Sequence, residues 1–531
     1  MNKKKLFKRM SAVTLAVIMT MLSGCSGKKE VNKGNVSKEM PKEISIFAQS
    51  LPSLKEDMPD YNSMLGFQIM EEETGCHINW TIAPATGATE KFNLMIASGQ
   101  YTDAIISQWE TEQLKEFSDD GVILPLGDMI KENMPNFTKW CEENPDYYKQ
   151  IINMNGGSGE IYYLPYIRAD KRLNIFIGPQ MRTDWLEKLN LEVPETADEL
   201  YEVLKAFKER DPNGNGIADE IPMSGVSSEQ TMGCCALLWM FDTMDDFYVD
   251  GDEVKFGALE PEFKEGLSYI AKLYKEKLLD PDYLVQDRAK MDGKITNNLV
   301  GFVYSFQPTK ISTLMAEKDP SFKLEGIGHF KNSDGERMCY LPNYANSVLQ
   351  TGLAISSSNP NPEGTLKWID WVFGEEGRKA MNYGRKDDTY TEKDGEIKFT
   401  DKVLNNPDGL SVADAFARYS AACSSDFPNL QDWNAYSQNL STYGNAAINT
   451  WSTDVNISGI MPVLTFEDGE KEIVSDIMNR VNTYVDENID KVILGRVKID
   501  EWDNVISAIK NMGVDKVLDI YQKAFERYQG K

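Results

Sequence analysis

The residues with the clearest chemical potential lie in one short loop, between positions 211 and 220. Oxygen-bearing side chains stand at its first, third and fifth positions, and Gly216 stands at the sixth. Calcium is bound by oxygen ligands at this spacing, with a backbone carbonyl at the seventh position and a carboxylate at the ninth. We therefore expect a structural calcium ion in this loop. The predicted ligands are Asp211, Asn213, Asn215, Ile217 through its carbonyl, Asp219 and Glu220.

This loop departs from an EF-hand at its twelfth position, where a bidentate glutamate is usual and this chain has Pro222. Glu220, at the tenth position, must then close the coordination shell, so we expect no EF-hand exit helix. The alternative is a turn rich in Asn and Gly that ends the preceding helix without a metal, because these residues also favour tight turns.

Aromatic side chains at predicted strand ends and in loops are the second set of candidates. A rigid ring can stack on the apolar face of a sugar while nearby amides reach its hydroxyl groups, which suits a neutral oligosaccharide. For any single ring, ordinary core packing is the alternative. The predicted ligand-binding residues are Gln49, Trp109, Tyr163, Trp239, Tyr304, Phe306 and Tyr344.

Catalytic chemistry has little support in the composition. Only two histidines, His77 and His329, are present, so histidine-based zinc sites and Ser-His-Asp triads are poorly supplied. Carboxylate pairs such as Glu110 with Glu112 could act in a glycosidase, but a chain with 83 acidic residues contains such pairs by chance. We expect a protein that is not an enzyme and has no catalytic residues.

The charge balance restricts the class of partner. The net charge is −27, so we expect neither nucleic acid nor anionic lipid as a partner, because both require a basic surface. Strongly anionic ligands are disfavoured as well, unless a local basic pocket overrides the average. Six cysteines besides Cys25 show no CxxC spacing, which favours buried free thiols and leaves disulfides possible in an exported protein.

The first 25 residues have the pattern of an export signal. Basic residues precede an apolar run from Met10 to Leu22 that is too short to span a bilayer. The segment from Leu22 to Cys25 resembles the lipobox of bacterial lipoproteins, in which the cysteine is diacylated and becomes the new N-terminus. We expect a signal peptide over 1–24, lipidation at Cys25, and a flexible leash over 25–42. An ordinary cleaved signal with an incidental cysteine is the alternative.

The elements that must position these candidates alternate between strand and helix. Apolar strands are predicted over 43–48 and 104–106. Thr196 and Glu199 form a capping box before a helix with apolar residues at i, i+3, i+4 and i+7. This alternation favours an α/β fold with mainly parallel sheets. Removal of 24 residues from 531 would leave 507, enough for at least two lobes.

Together these features resemble the family-1 extracellular solute-binding proteins, the lipoprotein receptors of ABC importers, and within them the LipO-like subgroup. In relatives that bind oligosaccharides, the loop holds a structural calcium ion, which the resemblance carries over to the six positions named above. Ligand residues differ between members and do not carry over. The segments that carry the resemblance are 91–99 with 102–105, 182–189 with 193–196, 219–222, 361–363 with 368–371, 499–503, 512–513 and 524–528.

The resemblance implies a two-lobed, type II periplasmic-binding-protein-like fold with a hinge and a helical C-terminal region. It implies an N-terminal lobe of 43–167 plus 345–386 and a C-terminal lobe of 168–344 plus 387–531, with crossings near Ile167, Ala345 and Lys386. It implies a monomer, anchored to the outer face of a cell membrane, which suits a Gram-positive bacterium. Such a protein captures a solute by cleft closure and delivers it to ABC permease subunits.

We expect the solute to be a short oligosaccharide. The alternatives that the sequence leaves open are a receptor for peptide or another small solute, an anchored glycoside hydrolase, and an adhesive surface lipoprotein.

Overall fold

The computed structural model describes residues 39–227, 233–422, 424–467 and 469–531, and the unit from Glu39 to Lys531 is compact. The predicted signal peptide, Cys25 and all of the leash before residue 39 lie outside the described residues. Within the described ranges, no helix is both long enough and apolar enough to cross a membrane.

The strands are numbered in chain order. They are β1 Glu43–Gln49, β2 His77–Ala83, β3 Ala104–Gln108, β4 Leu164–Arg168, β5 Ile177–Arg182, β6 Ile221–Ser224, β7 Phe247–Asp250, β8 Glu253–Phe256, β9 Val300–Phe306, β10 Leu324–Gly326, β11 Arg337–Met338, β12 Val348–Ile355, β13 Tyr390–Lys393, β14 Glu396–Phe399, β15 Asn429–Gln431 and β16 Val455–Asn456.

The helices follow the same convention. They are α1 Leu65–Thr74, α2 Ala88–Ser98, α3 Leu114–Asp119, α4 Gly127–Asn133, α5 Pro135–Glu143, α6 Pro145–Met154, α7 Thr183–Leu189, α8 Ala197–Glu209, α9 Pro261–Lys275, α10 Arg288–Thr296, α11 Thr309–Lys318, α12 Pro362–Asp370, α13 Glu375–Tyr383, α14 Asp401–Leu404, α15 Val412–Tyr419, α16 Trp433–Asn439, α17 Thr442–Trp451, α18 Glu470–Ile493, α19 Trp502–Met512 and α20 Val514–Gln529.

The first lobe is built on a six-stranded sheet with the order β15-β4-β12-β3-β1-β2. The pairs β1–β2, β1–β3 and β4–β15 are parallel, whereas β12 runs antiparallel to both β3 and β4. It follows that β1, β3, β4 and β15 all point in the same direction. Ile46, Ile105 and Leu164 are fully buried, as expected for strands that are covered on both faces.

The second lobe is built on a four-stranded sheet with the order β10-β5-β9-β6. β5 runs antiparallel to β9 and β10, and β6 runs parallel to β9, so β6, β9 and β10 share one direction. Helices α17 to α20 add apolar residues such as Trp451, Val481 and Trp502 to the core of this lobe. Gly178 of β5 permits the ring of Trp451 to lie directly against the sheet, because a side chain at this position would collide with it.

Helix α8 begins as its sequence predicts. Thr196 accepts a hydrogen bond from the N–H of Glu199 at 3.3 Å, and the Glu199 carboxylate accepts one from the N–H of Glu195 at 2.8 Å. The predicted capping pair is therefore confirmed, with the return bond made one residue before the cap. The apolar stripe of the helix is buried, and consists of Leu200, Val203, Leu204 and Phe207.

In the described part of the chain, three segments pass between the two sheets. Residues 169–176 join β4 to β5, residues 345–347 lead into β12, and residues 432–441 join β15 to α17. The expected crossing near Lys386 is corrected, because β15 pairs with β4 and so belongs to the first sheet. Ion pairs of Arg385 with Glu72 and of Arg418 with Asp57 also hold the segment 385–431 on the first lobe.

The cysteines in the described part of the chain are free thiols, as the spacing analysis favours. Burial raises the pKa of Cys76 and of Cys141 to about 12, which keeps both thiols protonated and unreactive at neutral pH.

Candidate functional site

The carboxyl edges of the two sheets face each other. β4 ends at Arg168, and the chain enters β5 at Ile177 after the short crossing 169–176, so these two strand ends are neighbours. Because β1, β3 and β4 are co-directional, Gln49 and Gln108 lie along the same edge as Arg168. β9 runs opposite to β5, so its carboxyl end, Phe306, lies beside the amino end of β5 on the facing edge. Ligands of open α/β sheets bind at such edges.

Two stacked rings lie at the first crossing. The centroids of Phe176 and Phe306 are 5.8 Å apart with the ring planes 11° from parallel. Phe306 is 40% exposed, in contrast to the buried aromatic residues of both cores. The backbone around the pair is fixed, since the N–H of Gln307 donates to the Phe176 carbonyl at 2.9 Å and Gln180 Nε2 donates to the Phe306 carbonyl at 2.7 Å. The pair therefore presents apolar ring surface at a rigid position between the lobes.

Three arginines each lie over an aromatic ring in this area. The guanidinium carbon of Arg168 is 5.7 Å from the Phe176 centroid, that of Arg288 is 4.9 Å from Phe306, and that of Arg172 is 4.7 Å from Trp433. Trp433 begins α16, which packs against the turn at residues 171–174. We call these three rings and three arginines the crossing platform. Each guanidinium–ring contact contributes roughly 0.5–1 kcal/mol where it is exposed.

Two of the predicted ligand residues, Trp109 and Tyr163, lie in the core of the first lobe. Their ring centroids are 6.4 Å apart, and the side chains are 1% and 0% exposed. Trp109 Nε1 donates to the Gly352 carbonyl at 2.9 Å, and the Tyr163 hydroxyl donates to the Leu349 carbonyl at 3.1 Å. In this arrangement neither ring has a face that a solute can reach. The structure thus corrects the expectation of stacking here, because both polar atoms turn inward to β12.

Three further predicted residues, Trp239, Tyr304 and Tyr344, come together in the core of the second lobe around His329. The Tyr304 hydroxyl lies 3.0 Å from His329 Nδ1, and His329 Nε2 lies 3.2 Å from the Tyr344 hydroxyl. The Tyr344 hydroxyl in turn donates to the Ile177 carbonyl at 2.8 Å. Trp239 packs edge-on against Tyr304, with 5.3 Å between centroids. We call these four residues the buried aromatic cluster.

The hydrogen bonds of the buried aromatic cluster assign its protons. Tyr344 uses its hydroxyl proton on Ile177, so it accepts a proton from His329 Nε2, and Nδ1 accepts the hydroxyl proton of Tyr304. Burial, with a smaller contribution from the charge of Arg337, lowers the pKa of His329 to about 3, so the imidazole is neutral. The cluster is internally satisfied and holds the amino end of β5 in place. As with Trp109, its rings give a solute no accessible face in this arrangement.

Gln49 and Phe306 are the predicted ligand residues that the structure leaves exposed, and both stand at the carboxyl ends of strands. The sequence analysis missed Arg168, Phe176 and Trp433. Arg168 ends β4, directly after the apolar run 161–167, and that position is its only local signal. Phe176 and Trp433 carry no local signal, because their position depends on where the chain crosses between the sheets.

The loop 211–220 folds around the carboxylate of Asp211. The N–H groups of Gly214, Asn215 and Gly216 donate to it at 2.9–3.1 Å. The two loop glycines have φ of +73° and +76°, a conformation that favours glycine. Lys188 Nζ donates to the Pro212 carbonyl at 2.7 Å, which ties the loop to the end of α7.

Glu220 is the unsatisfied residue of this loop. Both of its carboxylate oxygens are buried, and neither accepts a hydrogen bond from another described residue. Burial raises the pKa of Glu220, and the charges of Asp211 and Asp219 raise it further, although nearby N–H groups offset part of the change. A buried carboxylate without donors is costly unless a cation neutralises it. The side chains present therefore fit a hard cation bound by oxygen.

The remaining loop ligands are engaged with each other. Asp219 accepts hydrogen bonds from the side-chain amides of Asn213 and Asn215 at 2.9–3.1 Å. Consistent with this closed arrangement, the described residues include no group of three or more His, Cys, Asp and Glu side chains placed to hold a metal ion.

Besides the gap between the sheet edges, a second space, a cavity, lies between the lobes next to the C-terminal helix α20. It is lined by Gln150, Asn153, Val463, Phe525 and Tyr528, among others. Lys149 Nζ lies 4.3 Å from the Tyr528 ring centroid. This contact helps to hold α6 of the first lobe against α20 of the second lobe.

A family model described as bacterial extracellular solute-binding protein matches residues 48–379. The fructooligosaccharide ABC transporter substrate-binding protein FusA of Streptococcus pneumoniae is 28% identical over 559 residues, which cover 99% of each chain. Lipoprotein LipO of Bacillus subtilis is 27% identical over 429 residues, which cover 79% of this chain and 80% of LipO.

Solved structures agree with these matches. The alginate-binding protein AlgQ2 without calcium ion is 26% identical, with a TM-score of 0.67. FusA of S. pneumoniae in complex with kestose is 25% identical, with a TM-score of 0.68. Each alignment covers 92% of this chain and 99% of the other.

Proposed function

Because the chain belongs to the family of bacterial extracellular solute-binding proteins, we propose that it captures a short oligosaccharide between its two facing sheet edges. The family match and the solved structures confirm the expected family and the two-lobed, type II periplasmic-binding-protein-like fold. Members of this family bind solutes, and in our proposal this chain catalyses no reaction.

The observation that carries the proposal is the stacked pair Phe176 and Phe306 at the carboxyl edge of the second sheet, in which Phe306 is 40% exposed and Phe176 is partly buried. Aromatic rings suit the apolar face of a sugar, and the exposed amides Gln49 and Gln108 stand along the opposite edge, where they can reach hydroxyl groups. FusA, named for fructooligosaccharide and solved with kestose, supports a short oligosaccharide as the solute class.

We propose that the three crossings act as the hinge. Solute bound to both edges stabilises the closed arrangement of the lobes, and the closed form is delivered to an ABC permease. The proposed first lobe comprises 43–168 plus 348–431, and the proposed second lobe comprises 177–344 plus 442–531. The present interlobe contacts include Lys471 and Glu110, 3.3 Å apart.

Anchoring is part of the same proposal. A signal peptide over 1–24 is removed, Cys25 is lipidated, and the leash 25–42 holds the monomeric body at the outer face of the cell membrane of a Gram-positive bacterium. The similarity to LipO, which is named as a lipoprotein, supports this assignment.

A structural calcium ion is the remaining component of the proposal. Its ligands would be Asp211, Asn213, Asn215, the Ile217 carbonyl, Asp219 and Glu220. The buried, donor-free carboxylate of Glu220 supports the site, as do the solved relatives, one described as lacking calcium ion and one as an EF-hand mutant. The ion would offset two of the three negative charges on Asp211, Asp219 and Glu220 and would fix the connection between α8 and β6.

Thermal unfolding of the chain without residues 1–25 tests the solute assignment. A panel of short oligosaccharides, neutral ones such as kestose and ones that carry a uronate unit, should contain one class that raises the midpoint. The stabilisation is about 2.7 kcal/mol at a hundredfold excess over Kd. A rise with peptides and with no saccharide would overturn the assignment.

The same thermal unfolding experiment, repeated with calcium and with chelator, tests the calcium assignment. Chelator should lower the midpoint of the wild-type protein and leave Asp211→Asn unchanged. Asp394→Asn is the matched control, because Asp394 also has a positive φ but lies in the β13–β14 turn. Equal midpoints with calcium and with chelator in the wild type would contradict the metal site.

A further inference from the structure

Arg168 is the arginine of the crossing platform without an acidic partner. Arg172 donates to both oxygens of Asp170, at 2.9 and 2.6 Å, and Arg288 lies 3.5 Å from Asp292. The side chain of Arg168 forms no hydrogen bond or ion pair with another residue in the described ranges, and its guanidinium lies over the Phe176 ring. Acidic residues outnumber basic ones by 83 to 56, so an unpaired arginine is unexpected in this chain.

The backbone of Arg168 is held firmly at the edge of the first sheet. Its N–H donates to the Ser347 carbonyl at 2.8 Å, and the residue pairs with Gln431 of β15. Both neighbours belong to or adjoin a crossing between the lobes. The guanidinium is therefore presented at a fixed place, beside the ring pair Phe176 and Phe306.

We infer that the solute is an acidic oligosaccharide, with a carboxylate on the sugar unit that lies over this ring pair. This inference rests on the proposed function. Closure of the lobes would take an unpaired guanidinium out of water, which is costly unless an anion meets it. A carboxylate matches the planar guanidinium with two parallel hydrogen bonds, whereas a neutral sugar leaves the charge uncompensated.

The same geometry limits the number of negative charges. Two of the three guanidinium groups of the platform are already balanced by Asp170 and Asp292. One uncompensated positive charge remains, so the site takes one carboxylate rather than a densely charged segment. The net charge of −27 sets the same limit, because the rest of the protein repels polyanions. The single unpaired guanidinium of Arg168, within an acidic protein, thus selects a sugar unit with one negative charge.

The test uses saccharides that differ only in charge. Trisaccharides that carry one galacturonate, glucuronate or mannuronate unit are titrated calorimetrically beside their methyl esters, which have nearly the same shape without the charge. At least one acid should bind the wild type about tenfold or more tightly than its ester, as expected for a hydrogen bond between two charged groups. Arg168→Gln should bring this acid-to-ester ratio close to one, and Arg168→Lys should keep part of it.

The controls separate this inference from the proposed function. Arg480→Gln removes an exposed arginine of α18 and should keep the acid-to-ester ratio. If esters or neutral saccharides bind and no acid is preferred, the inference is overturned and the proposed function stands. If the acid preference persists in a folded Arg168→Gln variant, the assignment to Arg168 is overturned. If no saccharide of either charge binds, the proposed function itself fails, and the inference fails with it.

Discussion

The buried aromatic cluster and the crossing platform use similar side chains in opposite ways. In the cluster, each polar atom of Tyr304, His329 and Tyr344 has a partner inside the second lobe. In the platform, Phe306 is 40% exposed and the Arg168 guanidinium has no acidic partner among the described residues. Rings whose polar atoms are satisfied hold a lobe in shape, whereas a partly exposed ring beside an unpaired charge is available to a solute.

Removal of a ring from the buried aromatic cluster should give the largest change in stability. Trp239→Ala leaves a cavity beside Tyr304 and should lower the free energy of unfolding by about 3–5 kcal/mol. Urea denaturation followed by circular dichroism measures this loss. The folded fraction should keep its saccharide affinity, and a large loss of affinity at unchanged stability would place Trp239 in the binding site instead.

Acid should weaken the buried aromatic cluster through His329. The pKa of this histidine falls from 6.5 in the unfolded chain to about 3 in the folded one, because burial disfavours the charged ring. Its contribution to stability is therefore complete above pH 6.5 and is lost as the pH falls toward 3. His329→Gln should cost less stability at pH 5 than at pH 7, by about 2 kcal/mol. Urea midpoints at the two pH values measure the difference, and a constant cost would contradict a neutral, buried imidazole.

Removal of a ring from the crossing platform should act on affinity rather than on stability. Phe306→Ala should weaken saccharide binding roughly 10–100-fold, since a covered phenylalanine contributes about 1.5–3 kcal/mol. Tyr148→Ala is the matched control, because Tyr148 is 39% exposed and lies on α6, outside the two sheet edges. Calorimetry on both variants decides the comparison. Equal affinities would show that the solute does not lie on this ring.

Removal of the interlobe ion pair should have the smallest effect on saccharide affinity. Glu110 and Lys471 are about half exposed, and such pairs contribute roughly 0.2–1 kcal/mol. Glu110→Gln should change the affinity for saccharide less than threefold, and added salt should reduce even that change. Titrations at low and high salt provide the measurement. An effect larger than that of Phe306→Ala would move the centre of binding away from the platform.

Local features were predictable from the sequence, because neighbouring residues create them. The capping pair of α8 and the loop from Asp211 to Glu220 each depend on a few consecutive positions. The resemblance to a family supplied the two-lobed fold. The donor-free environment of Glu220 was not predictable, since it depends on burial rather than on spacing.

Features that depend on topology were not predictable in this way. Trp109 and Phe306 both stand at strand ends, yet Trp109 turns inward to the Gly352 carbonyl and Phe306 stays exposed. The third crossing, expected near Lys386, lies instead at residues 432–441. The strand β15 has only three residues, too few for a periodic pattern, and it carries the chain back to the first sheet.

Hydrogen–deuterium exchange with and without a bound saccharide tests the central claim most directly, because it needs no substitution. The saccharide is the one that gives the largest thermal shift. Bound saccharide should slow exchange at the crossing platform, in residues 168–176, 304–308 and 431–434, and along the opposite edge near Gln49 and Gln108. Slower exchange confined to the second space beside α20, with none at the crossing platform, would show that the solute does not bind between the facing sheet edges.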